Sequence, residues 1–470
     1  MRSFAKYLAA ILCLLLVTAM AGCGPDAPGT TATTVPATTL QPQSAREKYA
    51  LASAEVAEAK HLLLSYARTE LRLVGQDTYT RSVTGTASYS NIDGRDLEAV
   101  VEEQLTYGSY KSGYKEVYCD GAAFAEVNGS AFTAELTPRE FLDRQLPAVL
   151  LQQELYSTVT AAAGAEESIV LTFSGASAAE SWTALPAKAQ FISGSGTASL
   201  NSQGSLTQSS YKLEYQLGTV RYTLEVSVRV TMPKSLDLGA IHTEHFRNCP
   251  KLEVLDAPKM LLQVVGDVYT TQAFRGKAME SVFSEAIPMS YSQKSTFALR
   301  GSGENMTANA NYVVTLSDYR GQQETDTRQD AFSNGIYTSV KDGTSQQTAI
   351  TAQAMRQHYE DAILSALLAP TFLENATAWT GASQYHLELT GNDAFARALI
   401  EEMGTLLQVE LSADAVSVNP EGCGGYIAID RNTGLPVEMG LFLDCTHTVG
   451  GIEYAFTYRL EQELTLSDFA

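Results

Sequence analysis

The sequence predicts an α+β fold in which two tandem copies of a curved antiparallel β-sheet, or half-barrel, each pack on one or two helices. Two observations predict it. The order of turn, strand and helix signals occurs twice along the chain, and the strand signals alternate apolar and polar residues, as in sheets with one buried face. The predicted organisation is a signal peptide over residues 1–22, a tether over 23–44, a first repeat over 45–235, a linker over 236–256 and a second repeat over 257–470.

The N-terminal segment has the composition of an export signal. Arg2 and Lys6 supply positive charge, and an apolar run follows from Tyr7 to Met20. That run is shorter than the roughly 20 apolar residues that a transmembrane helix needs, and it fits the apolar region of a secretory signal. We therefore expect the segment to direct export.

The end of this signal reads Ala19-Met20-Ala21-Gly22-Cys23, and small residues before a cysteine resemble the bacterial lipobox. The resemblance implies cleavage before Cys23 and a diacylglycerol on its thiol, with a further acyl chain on its amine. Each buried CH₂ contributes about 0.8 kcal/mol to membrane binding. Cys23 is thus the expected lipidation site, and the protein is expected on the extracytoplasmic face of the cell membrane, held there by this anchor.

Residues 24–44 are rich in Pro, Thr, Ala and Gly and have no apolar period. Such a segment buries too little apolar surface to offset its ordering entropy, so it is expected to be a tether. Losing Arg2 and Lys6 with the signal takes the formal net charge from −21 to −23. Nucleic-acid binding needs clustered Lys and Arg, so a nucleic acid is excluded as a partner.

Each copy carries two turns of the form Asp-Gly or Asn-Gly around a short strand. These are Asp120-Gly121 and Asn128-Gly129 in the first copy, and Asn334-Gly335 and Asp342-Gly343 in the second. Such dipeptides favour two-residue hairpin turns. The alternating stretches that precede them are Ala99–Tyr118 and Asn311–Asp330, and the alternating strands that close the copies are Val220–Met232 and Ile452–Leu466.

Helical periodicity occurs at two matching places in each copy. The first helix is predicted over Ala50–Leu73 in one copy and Ala257–Ser284 in the other. The second helix begins after Thr137, with Pro138 and Glu140 completing a capping box, and after Thr351 in the other copy. These helices are predicted to run to Leu155 and Leu368, covering one face of each sheet.

The second copy also contains the turn Asp430-Arg431-Asn432-Thr433-Gly434-Leu435-Pro436-Val437 between two strands. With the layout of helix and sheet, it resembles the half-barrel of LolA/LolB-like bacterial lipoprotein carriers and of the LppX/LprG type. The resemblance implies an apolar cleft between sheet and helices that binds acyl chains or another lipophilic ligand. It implies no particular binding residues, because that family binds through a diffuse apolar lining.

Four cysteines lie beyond the tether, at Cys119, Cys249, Cys423 and Cys445, and they allow three pairings. Cys423 and Cys445 flank a predicted hairpin, so this is the pair for which a disulfide is predicted. An exported compartment permits such bonds.

Motifs of catalysis are not found in the sequence. His242 and His245 would face one metal on a helix, but Pro233, Gly239 and Pro250 predict a loop there, and the zinc-protease pattern needs histidines four apart. A nucleophile elbow, a P-loop and an EF-hand spacing are also missing. We therefore expect no catalytic residues, no metal and no cofactor. Two alternatives to a lipid-binding protein stay open: a structural or adhesive surface protein that contacts a protein or glycan, and an unrecognised hydrolase.

Overall fold

The computed structural model describes most of the chain after the tether. The described residues are 44–75, 77–94, 96–108, 110–145, 151, 156–164, 169–176, 188–239, 246, 248–284, 288–363, 368–411, 416–449 and 451–466. Both sheets lie within the compact unit Ser44–Ala470, whose buried apolar residues form one continuous cluster. Residues 1–43, which include the predicted signal, Cys23 and nearly all of the predicted tether, lie outside the described residues.

Eleven antiparallel strands form the first sheet, in the order β6-β5-β4-β3-β2-β1-β11-β10-β9-β8-β7. Their bounds are β1 His61–Val74, β2 Asp77–Ser90, β3 Glu98–Tyr107, β4 Tyr110–Cys119, β5 Ala122–Val127, β6 Ser130–Glu135, β7 Tyr156–Ala163, β8 Ile169–Ala176, β9 Gln190–Leu200, β10 Leu206–Leu217 and β11 Val220–Thr231. The first and last strands of the repeat pair with each other in the middle of the sheet.

Eleven strands also form the second sheet, in the order β17-β16-β15-β14-β13-β12-β22-β21-β20-β19-β18. Their bounds are β12 Ala273–Phe283, β13 Ser290–Arg300, β14 Thr307–Ser317, β15 Gln323–Ser333, β16 Ile336–Lys341, β17 Thr344–Ala349, β18 Leu373–Thr380, β19 Gln384–Gly391, β20 Val416–Asp430, β21 Pro436–Val449 and β22 Ile452–Thr465. This order is that of the first sheet with eleven added to each strand number. The predicted fold class, two tandem antiparallel sheets with helices, is confirmed.

Five α-helices occur among the described residues: α1 Ala45–Ala57, α2 Pro138–Gln145, α3 Ala257–Thr270, α4 Ala352–Ile363 and α5 Asp393–Leu407. Helix α1 packs on β7 and β10, and α5 packs on β12, β13, β19 and β20. Helix α3 opens the second repeat in sequence, yet it packs on β3 and β4 of the first sheet. The two repeats are therefore interlocked through α3.

The helix predicted over Ala50–Leu73 is wrong in its second half, because α1 ends at Ala57 and β1 begins at His61. Strand β1 pairs with β2 on one side and β11 on the other. Leu62, Leu64 and Tyr66 are buried in alternation. Pairing on both sides thus overrides the helix-forming tendency of this Leu- and Ala-rich stretch, since tertiary context outweighs intrinsic propensity.

The helix predicted over Ala257–Ser284 is also too long. It begins at Ala257 as expected, with Pro258 in its first turn, but it ends at Thr270. Residues from Ala273 form β12, which pairs with β13 and β22. The same cause applies, because β12 takes the place in the second sheet that β1 takes in the first.

The two-residue turns predicted at Asp-Gly and Asn-Gly are present in both repeats. Asp120, Asn128, Asn334 and Asp342 have φ between 49° and 52°, and the glycine after each has φ between 75° and 80°. Positive φ at both central residues defines the type I′ turn, whose twist matches that of the flanking strands. Glycine is favoured at the second position because it adopts this conformation without a Cβ clash.

A short stretch of the predicted linker joins the two sheets by main-chain hydrogen bonds. On β6, the Thr133 N–H donates to the Pro250 carbonyl at 2.9 Å, and the Leu252 N–H donates to the Thr133 carbonyl at 2.8 Å. On β18, the Val254 N–H donates to the Ala376 carbonyl at 3.1 Å. The linker therefore covers one edge of each sheet, at the point where an unpaired edge would otherwise be exposed.

Candidate functional site

A cavity of about 490 Å³ lies between the concave face of the first sheet and helix α3. This volume falls within the roughly 300–1,000 Å³ usual for small-molecule sites. The sheet contributes Tyr66, Arg68, Glu70, Arg81, Val83, Glu103, Leu105, Tyr107, Tyr211, Leu224 and Val226. Helices α2 and α3 contribute Arg144, Gln145, Lys259, Met260 and Gln263, and Asp256 lies just before α3. The lining is therefore amphipathic, whereas the sequence resemblance implied an apolar one.

The aliphatic part of the lining comes from the inward-facing positions of neighbouring strands. Val83 and Val226 lie on either side of Arg68 in the register of β2, β1 and β11, and Leu105 lies beside Val83 on β3. Side chains at alternate positions of paired strands share one face of a sheet. Met260 adds an apolar side chain from α3 on the opposite wall.

Helix α3 is held against the sheet by a close backbone approach and by one ion pair. A Cβ on Gly266 would lie 2.1 Å from Cβ of Tyr107, so the helix has room only for glycine there. The Lys259 ammonium lies 2.6 Å from an oxygen of Glu103 and 3.7 Å from the centre of the Tyr114 ring. The Tyr66 hydroxyl donates to the other Glu103 oxygen at 2.7 Å. Glu103 thus joins the sheet to the cavity's helical wall.

A second carboxylate, Glu116 on β4, lies fully buried next to the cavity. The Arg144 guanidinium from α2 donates to both of its oxygens, at 2.8 and 2.7 Å. The Gln145 amide donates at 2.5 Å, and the Tyr114 hydroxyl also donates. Burial raises the pKa of Glu116, while the charge of Arg144 acts in the opposite direction. These contacts fix the end of α2 to the sheet.

Arg81, which lines the cavity, belongs to a buried triad with Arg72 and Asp267. Each guanidinium lies 2.6 Å from a different oxygen of Asp267, and Arg72 and Asp267 are 0% and 2% exposed. Arg72 also donates to the Thr433 carbonyl at 2.7 Å, and Arg81 to the Gly434 carbonyl at 3.0 Å. The Asp-x-x-Thr-Gly-Leu-Pro turn of the second repeat therefore docks on the first repeat, and its contact here is structural.

Arg68 differs from the other cations around the cavity. Its side chain is 56% exposed, although the strand register places it on the concave face. Its ion-pair partner is Glu70, at 3.7 Å. The cavity thus presents a guanidinium between two valines.

Of the residues singled out from the sequence, the structure describes Cys423 and Cys445, and neither lines this cavity. Cys23, His242 and His245 lie outside the described residues. Cys423 on β20 and Cys445 on β21 are buried free thiols of the second sheet, opposite Leu443 and Val418. Burial raises the pKa of Cys423 to about 12 and that of Cys445 to about 11. The disulfide between them stays a prediction, and the structure holds them as thiols.

The residues that line the cavity were missed by the sequence reasoning, and one signal could have found them. Leu62, Leu64 and Tyr66 alternate with polar residues, and Arg68, Glu70 and Arg72 continue the same alternation. Read as a strand, this pattern places three charged side chains on the buried face, which is unusual without a function or a partner. When the same stretch is interpreted as a helix, the alternation is not apparent and the three charged residues are overlooked.

In the part of the chain that the structure describes, none of the helices is long and apolar enough to cross a membrane. Within the same residues, His, Cys, Asp and Glu form no group of three or more that could hold a metal ion.

Comparison with known proteins gives no family. No protein-family model and no curated protein match the chain. Among solved structures, LprF from Mycobacterium bovis is similar at 8% identity and a TM-score of 0.27, covering 46% of this chain and 96% of its own. A protein described as AttH from Nitrosomonas europaea shares 8% identity at a TM-score of 0.14, covering 85% of this chain and 92% of its own. Kievitone hydratase from Nectria haematococca shares 5% identity at 0.12, covering 85% and 88%. Scores this low carry no argument about function.

Proposed function

We propose that this protein is an extracytoplasmic lipoprotein, anchored through Cys23, that binds a lipophilic ligand in the concave cavity of the first repeat. The observation that carries the proposal is the cavity itself. It has an aliphatic floor of Val83, Leu105, Leu224 and Val226 and a helical wall with Met260. Apolar surface of this kind gains about 25 cal/mol per Å² when a ligand covers it.

We propose binding without catalysis, because the carboxylates around the cavity already have partners. Glu103 is held by Tyr66 and Lys259. The perturbed pKa of Glu116 has a structural cause, since Arg144, Gln145 and Tyr114 use both of its oxygens. Perturbed groups mark active sites only probabilistically, because ion-pair networks also shift pKa values.

Native mass spectrometry after lipid extraction tests the proposal. The protein is exported with Cys23→Ser, so that a covalent lipid cannot be mistaken for a bound one. We expect a co-purifying ligand, or uptake of added fatty acid or phospholipid. Met260→Glu places a charge on the cavity wall and should abolish the ligand peak.

Met279→Glu is the matched control, because Met279 is an exposed methionine on β12 of the second sheet, 44% exposed and away from the cavity. It should leave the ligand peak unchanged. A protein that carries no ligand and takes up neither fatty acid nor phospholipid would refute the proposal and favour a role in contacting a partner protein or glycan.

A further inference from the structure

The charged side chains on the concave face of the first sheet indicate the chemistry of the ligand's polar end. Arg68, Glu70 and Arg72 follow one another at alternate positions of β1, and Arg81 lies opposite Glu70 on β2. All four therefore lie on the same face of the sheet as the aliphatic floor.

Every other cation that lines the cavity has a close carboxylate partner. Arg81 lies 2.6 Å from Asp267, Arg144 lies 2.7 Å from Glu116, and Lys259 lies 2.6 Å from Glu103. The distance from Arg68 to Glu70 is 3.7 Å. Arg68 is thus the cation of the lining that is left most available to a ligand.

Glu70 cannot neutralise Arg68, because two further guanidiniums share it. Its oxygen lies 3.6 Å from Arg81 and 4.0 Å from Arg72. Within this cluster, three guanidiniums, of Arg68, Arg72 and Arg81, face two carboxylates, of Glu70 and Asp267, so the positive charge in excess is local to the part of the cavity around Arg68. Val83 and Val226 on either side of Arg68 place apolar surface directly beside this charge.

We propose that Arg68 binds the single negative charge of an amphiphile, a carboxylate or phosphate head group, whose apolar part lies along Val83, Val226, Leu105 and Met260. This inference rests on the proposed function, since it names the ligand class of the same cavity. A guanidinium suits these head groups because it presents paired N–H donors to two oxygens.

Calorimetric titration of the Cys23→Ser protein with two ligands of equal chain length tests the inference. Dodecanoate carries the charge and dodecanol lacks it. We expect dodecanoate to bind about tenfold more tightly, because a hydrogen bond to a charged group is stronger than a neutral one, while solvent at the half-exposed arginine reduces the difference. Monododecyl phosphate in a parallel titration distinguishes a preference for phosphate from one for carboxylate.

Arg68→Met keeps the length and apolar stem of the side chain. It should remove the preference for dodecanoate while leaving dodecanol binding unchanged, and Arg68→Lys should retain part of the preference. Arg229→Met is the control, because Arg229 is an exposed arginine of β11 paired in register with Ser65, on the opposite face of the sheet. It should change neither affinity.

Four results would each contradict a different part of this proposal. Equal binding of dodecanoate and dodecanol, or a preference that survives in Arg68→Met, would refute the assignment of Arg68 while leaving a lipophilic site. Acetate binding as tightly as dodecanoate would show a site for small anions and not for amphiphiles. Failure of both dodecanoate and dodecanol to bind would refute the proposed function itself.

Discussion

The two sheets have the same strand order, but their concave faces are filled differently. In the second repeat, α5 packs on β12, β13, β19 and β20 and buries Phe395, Leu399, Ile400 and Met403. The gap beside it measures about 10 Å³, roughly the space of one water. On the first sheet, α3 packs on β3 and β4, and about 490 Å³ remains between this helix and the sheet. The space between helix and sheet is therefore filled beside α5 and open beside α3.

The edge strands β6 and β17, which occupy matching places in the two sheets, also differ in how far they are buried. In the first repeat, Phe132 and Ala134 of β6 are buried, and linker residues cover the strand's edge. In the second repeat, all six residues of β17 are exposed, and the strand pairs only with β16 among the described residues. The edge strand β6 of the first sheet is thus more enclosed than the matching strand β17 of the second.

Removing the contact that interlocks the repeats should have the largest effect. Asp267→Ala leaves Arg72 and Arg81 buried without their shared carboxylate, and breaking a buried pair costs about 3–5 kcal/mol. We expect the free energy of unfolding, measured in urea, to fall by that amount. Glu463→Ala is the control, because its pair with Lys277 is about 70% exposed on both sides. It should cost less than about 1 kcal/mol, and an equal cost for the two variants would contradict the role of the triad.

Truncating a side chain in the packed interior of the second repeat should lower the free energy of unfolding more than truncating one in the cavity wall. Leu399→Ala on α5 removes a side chain that is 0% exposed, and such changes cost about 2–5 kcal/mol. Met260→Ala on α3 removes a side chain that already faces open space, so it should cost less than half as much. Urea unfolding of both variants gives the comparison. Similar losses would mean that the first repeat is as tightly packed as the second.

Local signals in the sequence predicted the fold well. The Asp-Gly and Asn-Gly turns and the Thr137 capping box depend on residues a few positions apart, and all are present. Their order, repeated twice, was enough to predict two tandem sheets. The boundary between α1 and β1 was not predictable in this way, because it depends on pairing with β11, far along the chain.

Contacts between residues far apart in the sequence determine the site even more than they determine the boundary between α1 and β1. Arg72 and Asp267 are 195 residues apart, and Arg72 and Thr433 are 361 apart. No periodicity links such positions, so nothing in the sequence indicated that α3 packs on the first sheet. The placement of that helix determines where the cavity lies, which is why the sequence predicted a cleft but not its charged residues.

The helix caps of the two repeats offer a smaller comparison. Thr137 accepts from the Glu140 N–H at 3.3 Å, and Glu140 accepts in return from the Thr137 N–H at 2.9 Å. Thr351 accepts from the Ala354 N–H at 3.1 Å, and residue Ala354 has no carboxylate to return the bond. Loss of a threonine cap costs about 1 kcal/mol. We expect Thr137→Ala to lower the stability to urea more than Thr351→Ala, and the reverse order would contradict the reciprocal cap.

The last comparison concerns the reactivity of the cysteine thiols and not the stability of the fold. Only the thiolate is alkylated, and burial raises the pKa of Cys423 to about 12 and of Cys445 to about 11. Both thiols should therefore stay protonated and react slowly with iodoacetamide until the pH approaches 11. Cys119 and Cys249 are only partly buried, so they should be labelled first in the folded protein, as peptide mass spectrometry would show.

If Cys423 and Cys445 also resist labelling after unfolding in urea, and react only after reduction, then the disulfide predicted from the sequence forms in the exported protein. Labelling of both in urea without reductant would instead show that this pair stays reduced.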